Sequence, residues 1–295
     1  MYRIENNKII ISDNSSFNAK HILECGQVFR YKKADFGYEV YSLNHKATIN
    51  CQKDSTIIYC DDVNYFINYF DLNTNYAKIK VALSKDEILN KAIAYGSGIR
   101  ILRQNPLETI INFIISSNNN IPRIKKIIED ICYSYGDKVN NYYAFPTLEQ
   151  LSNIPFEFFV KIKSGYRAKY LFETIQKIKS GFDINSINNL TVSEANKYLQ
   201  NLSGVGEKVA DCILLYAFHK TDVFPTDTWI KKVYFDYYKP AKQNKYIGIA
   251  KKNNTFKPEN KNESAREIRN YFIDKFGIYS GYAQQYLFYY KREFK

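Results

Sequence analysis

Histidine is scarce in this 295-residue sequence: the 3 residues, His21, His45 and His219, stand too far apart to suggest a histidine-built metal centre. The 5 cysteines, at 25, 51, 60, 132 and 212, show no C-x-x-C spacing. That argues against a disulfide framework, a thiolate zinc site and an iron–sulfur cluster. Long apolar runs are missing too. The most apolar stretch, Ile110 to Ile115, is far too short to span a bilayer, so no membrane partner is expected. The opening MYRIENNKIIIS lacks a basic start followed by a long apolar stretch, and no signal peptide is expected. These absences predict a soluble, cytoplasmic chain that acts as a monomer and without a cofactor.

What is present excludes a disordered chain, because 45% of the residues are apolar and 16% aromatic. Acidic residues are the minority charge, 30 against 42 Lys and Arg, which leaves a net charge of +12. A basic protein of this size attracts polyanions, and nucleic acid is the commonest of them for a soluble chain. Charge alone does not separate DNA from RNA or from an anionic membrane.

Up to Cys60 the chain alternates in short runs, KIIIS, QVFRY, YEVYSL, KATINC and STIIYC, broken by Asn, Asp, Gly and Lys. Period-two alternation between such breakers predicts antiparallel strands in a small sheet. From Asp62 onward apolar residues recur at i, i+3 and i+4, as in VNYFINYF, YAKIKVALSKDEILNKAIAYG and PLETIINFIISS. Further helices are predicted over 121–135, 167–180, 192–201, 207–219, 227–238, 263–276 and 280–292. Asn120 before Ile121-Pro122 and the capping box Thr191-Val-Ser-Glu194 mark two of the starts. The polar, weakly periodic stretch 239–262 reads as a long surface loop. Strands first and helices after predict an α+β fold, with an N-terminal antiparallel sheet domain over 1–97 and a mostly α-helical body over 98–295.

The chemistry concentrates in LSGVGEKVADCI, which starts at Leu202, and in VFPTDTW, which starts at Val223. A helix that ends in Leu-Ser-Gly-Val-Gly and restarts at Glu207 predicts a helix–hairpin–helix with its hairpin at 202–207. Gly204 and Gly206 let the chain turn with bare amides at the N-terminus of the next helix, which suits a DNA phosphate. Many such hairpins only bind DNA. Lys208 sharpens the reading, since the positive helix end and partial burial both favour a neutral amine there. A neutral amine attacks a sugar carbon and forms a Schiff base. Asp227 stands at a helix start, where its carboxylate either caps the helix or stabilises an oxocarbenium-like sugar and handles protons. Both roles can coexist, since a capping carboxylate is held ionised. Asp211, Asp222 and Glu207 read as surface or helix-supporting charges.

On these residues the sequence resembles the helix–hairpin–helix glycosylase superfamily with its Gly/Pro-rich loop and Asp, and within it the 8-oxoguanine DNA glycosylases. Segments beginning at Gly26 (GQVFR), Gly98 (GIRILRQNP), Ser116 (SSNNNIPR), Gly165 (GYRAKY) and Gly281 (GYAQQYLF) are similar to family segments and stand in family order. The resemblance implies a bifunctional enzyme of base excision repair that acts on duplex DNA containing oxidised guanine. Lys208 would attack C1′ and expel the base with help from Asp227, and β-elimination would then cut the strand. Cys212, one turn from Lys208, would pack one side of the flipped base, and Phe288 would stack on the other. Gly26 would accept from the proton that oxidised guanine carries on N7, and Gln284 would read the Watson–Crick edge. Asn118 would fill the gap in the duplex with Tyr166 wedged beside it, while Arg123 and Arg167 would hold the orphaned cytosine.

One position departs from the family pattern. Two residues after Asp227, where the family often has His, stands Trp229. The hairpin carbonyls of Gln200, Leu202 and Val205 are candidates for a monovalent cation, although the catalytic steps need no metal. The rival readings are a related glycosylase for another oxidised or alkylated base, and a non-catalytic DNA-binding module. The pairing of Lys208 with Asp227 weighs against the second.

Overall fold

The protein is described by a computed structural model over residues 2–239 and 263–294. The stretch 240–262, expected as a loop, lies outside the described residues. Six strands form an antiparallel sheet: β1 (Tyr2–Glu5), β2 (Lys8–Ile11), β3 (Tyr31–Ala34), β4 (Gly37–Ser42), β5 (His45–Cys51) and β6 (Thr56–Cys60). Their spatial order is β1-β2-β6-β5-β4-β3. Alternation buries one row, Ile9, Ile11, Val40, Ile49 and Ile58, against Phe17 and Ile22 and against Phe66 and Phe70. Gly37 carries φ +143, and a Cβ there would lie 2.3 Å from the Ile49 carbonyl, so the β3–β4 turn requires glycine.

Two expectations for the sheet need correction. β1 was not anticipated, because YRIE is almost wholly exposed and carries no apolar alternation. It pairs with β2 as an edge strand. QVFRY does not form a strand before Tyr31. Gln27 is fully buried, and its side-chain amide donates to the carbonyls of Ile22 (3.0 Å) and Arg100 (2.8 Å) and accepts from the Leu102 N–H (2.9 Å). That side chain replaces a strand ladder as the bond between sheet and body.

Helices α1 (Ala19–Leu23) and α2 (Val63–Tyr69) pack on the sheet, whereas the buried residues of α3 (Tyr76–Leu83) and α4 (Glu87–Tyr95) join the core of the helical body. The body contains α5 (Pro106–Ser116), α6 (Ile121–Tyr135), the short hairpin β7 (Lys138–Val139) and β8 (Tyr142–Tyr143), α7 (Leu148–Ser152), α8 (Phe156–Lys161) and α9 (Arg167–Lys179). It continues with α10 (Val192–Leu199), α11 (Glu207–Ala217), α12 (Thr228–Val233), α13 (Ala265–Phe276) and α14 (Ser280–Glu293). The predicted caps are in place: Asn120 accepts from Arg123 N, and Thr191 and Glu194 close a capping box. The helix expected over 227–238 divides into α12 and a π-turn at Tyr234–Tyr238. Buried on every face, its polar Glu108, Thr109 and Asn112 included, α5 is the central helix and packs on α6, α9 and α11. Among the described residues no helix is long and apolar enough to cross a membrane.

Candidate active site

The turn between α10 and α11 is pinned from three sides. Lys177 donates to the Asn201 carbonyl (2.7 Å), Thr174 to that of Ser203 (2.9 Å), and Asn196 to that of Glu207 (3.1 Å). Gly204 takes φ +80, and a Cβ there would stand 2.8 Å from the Tyr170 ring. Gly206 is the N-cap of α11 and no side chain caps it, while a Cβ would meet nothing within 4 Å. The first amides of α11 are therefore bare and approachable, as an anion site needs. Of the carbonyls considered for a cation, that of Leu202 accepts from the Val205 N–H at 3.1 Å.

Lys208 sits half-buried on the first turn of α11, its Nζ 5.8 Å from the centroid of the Phe113 ring. It lies within electrostatic reach of Cys212 and of Asp227. Burial pulls the ammonium down, but Cys212 and the Asp227 carboxylate outweigh it and hold Lys208 above the ordinary lysine value. This corrects the expectation of a neutral amine, which took account of burial and the helix end but not of the two partners. Burial pushes the Cys212 thiol up to about 11. Asp227 does cap α12, accepting from Trp229 N (3.0 Å) and Ile230 N (2.9 Å). Burial nevertheless raises its pKa against those N–H groups and Lys208, so capping alone does not secure its charge. Trp229 is half-buried, with the Lys232 ammonium 4.4 Å from its ring.

Asp211 is no surface charge. It is fully buried and binds Arg269 through both carboxylate oxygens, with Asn196 Nδ2 a further donor at 2.7 Å. The pair fastens α11 to α13, and Asn196 fastens it to α10. Glu207 faces Arg266 at the surface (3.5 Å), and Asp222 is exposed.

Gly26 and Phe288 are in contact. Gly26 has φ +90, and a Cβ would lie 3.2 Å from Phe288 Cε1 and 3.3 Å from Arg292 Nη1. Arg292 was not anticipated; it lies over the Phe288 ring (5.5 Å) and donates to the Glu24 carbonyl. Its i, i+4 spacing from Phe288 on α14 was the available signal. Gln284 is buried, and its Oε1 has no hydrogen-bond partner, whereas the neighbouring Gln285 binds the Cys25 carbonyl (3.0 Å) and the Tyr216 hydroxyl. Gln285 thus anchors α14, and Gln284 keeps an unmet acceptor.

A second group lies between α5 and α6 and at the start of α9. Asn118 is exposed with φ +49, and Tyr166 is 52% exposed with its hydroxyl on the Ser117 carbonyl (3.1 Å). Arg123 is exposed and donates to the Lys163 carbonyl (2.7 Å). Arg167 is buried, stacks on the Tyr166 ring (4.5 Å), and donates to the carbonyls of Ser117, Asn118 and Ser164. The structure brings these four residues together around one loop.

The sequence matches the 8-oxoguanine DNA glycosylase N-terminal domain over residues 9–110 and the HhH-GPD superfamily base excision DNA repair proteins over residues 111–259. The N-glycosylase/DNA lyase of Saccharomyces cerevisiae is 35% identical over 213 residues, 65% of this chain and 56% of the yeast protein, so the match spans less than two thirds of that relative. The N-glycosylase/DNA lyase OGG1 of Arabidopsis thaliana is 30% identical over 290 residues, 89% of this chain and 74% of that protein. Among solved structures, the Clostridium acetobutylicum 8-oxoguanine glycosylase/lyase in complex with double-stranded DNA containing cytosine opposite 8-oxoG matches with a TM-score of 0.87. The identity is 37%, over 99% of this chain and 98% of that one.

Proposed function

The chain belongs to the HhH-GPD superfamily of base excision DNA repair proteins, and on that premise we propose that it releases 8-oxoguanine from duplex DNA and then nicks the abasic strand. One observation carries the reading: half-buried Lys208 lies within electrostatic reach of Cys212 and Asp227, in the first turn of a helix whose N-terminus no side chain caps. Lys208 first sheds a proton, and Asp227, whose basicity burial increases, accepts it. Nζ then bonds to C1′ as the bond from C1′ to the base breaks, and the departing base takes up a proton. The sugar opens to an imine on Nζ. Loss of a C2′ proton to water breaks the C3′–O bond, so that the downstream strand leaves with a 5′ phosphate, and water finally hydrolyses the imine and restores Lys208.

The lesion is recognised between Cys212 and Phe288, with the Gly26 carbonyl accepting from N7–H and Gln284 meeting the Watson–Crick edge. The unmet Oε1 of Gln284 supports that assignment. Asn118 and Tyr166 occupy the gap in the duplex, and Arg123 and Arg167 favour cytosine opposite the lesion. The enzyme acts as a monomer, with residues 98–295 as its catalytic domain and Gly204 and Gly206 on the DNA backbone.

Borohydride trapping on a duplex with one 8-oxoguanine opposite cytosine tests the reading. The wild type should form a covalent adduct on that duplex and none on an undamaged one. Lys208→Gln should bind the duplex, lose the adduct and lose base release by about a thousand-fold or more. Retained nicking by Lys208→Gln would remove Lys208 from its role.

A further inference from the structure

Away from Lys208 and Asp227, a cavity of about 630 Å³ opens between the β3–β4 hairpin, α6 and the β7–β8 hairpin. Its walls are largely aromatic: Phe29, Tyr31, Tyr41, Tyr133, Tyr142 and Tyr143. Tyr41 and Tyr142 meet at 5.0 Å between centroids, and Tyr133 and Tyr143 at 4.9 Å, so the rings form a supported lining. A smaller recess that reaches Glu24 and Arg292 shares Tyr31, Lys33 and Lys125 with this chamber.

The charges around the chamber are matched, with one exception. Arg30 is taken by Glu108 (3.3 Å) and by the carbonyls of Leu43 and Tyr143. Lys32 faces Glu129 (3.5 Å), and Lys33 faces Glu24 (2.9 Å). Lys125 has no carboxylate within ion-pair distance among the described residues. Its Nζ lies 3.2 Å from the Tyr31 ring centroid and donates to the Tyr31 carbonyl at 3.1 Å. Burial pulls this amine down to about 8 against the more distant carboxylates of Glu24 and Glu129.

We propose that this cavity binds a free mononucleotide, its base stacked in the aromatic chamber and its phosphate at Lys125, where chamber and recess join. The volume falls in the range of roughly 300–1,000 Å³ typical of small-molecule sites. Six aromatic side chains in the lining, with Tyr133 the most exposed of them, favour a planar ring, and the exposed Asn141 can bond a base edge. A purely apolar ligand would leave Lys125 without an anion, and inorganic phosphate would leave the aromatic wall uncovered. A base joined to a phosphate satisfies both. Neither Lys208 nor Asp227 lines the cavity, so the site is separate from the proposed chemistry.

Calorimetric titration of the full chain with adenosine, guanosine and thymidine 5′-monophosphates, each beside its nucleoside, tests this. A monophosphate should bind saturably and about ten-fold more tightly than its nucleoside, the worth of one charge-assisted hydrogen bond. Lys125→Gln should erase that difference, and Tyr133→Ala should weaken both ligands. Tyr133 is 66% exposed, so its replacement leaves the core intact. The absence of saturable binding, or an unchanged ratio in Lys125→Gln, overturns the proposal. Binding lost in Phe288→Ala but kept in Tyr133→Ala would put the nucleotide in the lesion pocket and overturn it equally.

Discussion

Lys208, Cys212 and Gln284 stand on α11 and α14, whereas Asn118, Arg123, Tyr166 and Arg167 stand in two loops, before α6 and before α9, or in the first turns of those helices. The difference extends to their hydrogen bonds. On the side proposed for the lesion Gln284 Oε1 has no partner among the described residues although the side chain is buried. On the side proposed for the opposite strand the guanidinium donors are already engaged, Arg167 with three carbonyls and Arg123 with one, although the buried Ser164 hydroxyl has no partner among the described residues. A buried acceptor with no partner costs stability, and it is retained where something else completes it. Donors that satisfy their own loop must exchange partners when a ligand arrives. On the proposed assignment the lesion side is thus built in advance, and the opposite-strand side takes its working form on DNA.

The largest effect should come from loosening the prepared side. Arg269→Met leaves Asp211 buried on α11 with its cation removed, and loss of one partner from such a pair costs about 3–5 kcal/mol. Burial holds the Asp211 pKa above the usual value even with Arg269 in place, so the pair itself is no great net stabiliser. Asp211→Leu combined with Arg269→Met should therefore recover most of the loss. Urea denaturation of the two variants decides it. A cost for Arg269→Met no larger than that of an ordinary surface change, roughly 0.5 kcal/mol, would mean that α11 is held elsewhere.

That example also marks how far the sequence could be read. Signals that act within a turn or two were legible: the Asn120 cap, the Thr191–Glu194 box, the glycines of the hairpin, and Lys208 and Asp227 at two helix starts. Strand alternation located most of the sheet for the same reason. What escaped depends on partners far away in the chain. Asp211 is paired by Arg269, Gln27 reaches the carbonyl of Arg100, and β1 exists only because β2 offers it an edge. The charge of Lys208 was misjudged on the same account, since Asp227 reaches it from another helix.

The next effect is on activity rather than folding. Gln284→Leu removes an acceptor that nothing among the described residues satisfies, so the stability of the chain should hold or rise slightly. On the 8-oxoguanine duplex, however, kcat/KM should fall by about ten- to hundred-fold, the worth of one or two buried hydrogen bonds to the base. Single-turnover base release read beside thermal melting separates the two. If stability and activity fall together, Gln284 belongs to the core and the contrast between the two sides weakens.

The smallest and most discriminating effect lies in the loop. Arg123 is exposed and makes one bond to a carbonyl, so Arg123→Ala should leave the melting temperature unchanged. Its preference for cytosine over adenine opposite the lesion should fall by roughly ten-fold, the cost of one bidentate contact. Arg167 does two jobs, because its guanidinium is buried and holds the Ser117, Asn118 and Ser164 carbonyls in place. Arg167→Ala should lower both the melting temperature and the preference. Excision rates measured against all four opposite bases, with melting curves for each variant, test this. If Arg123→Ala slows excision equally against every base, Arg123 is a phosphate contact, and the opposite-strand loop recognises DNA without reading it.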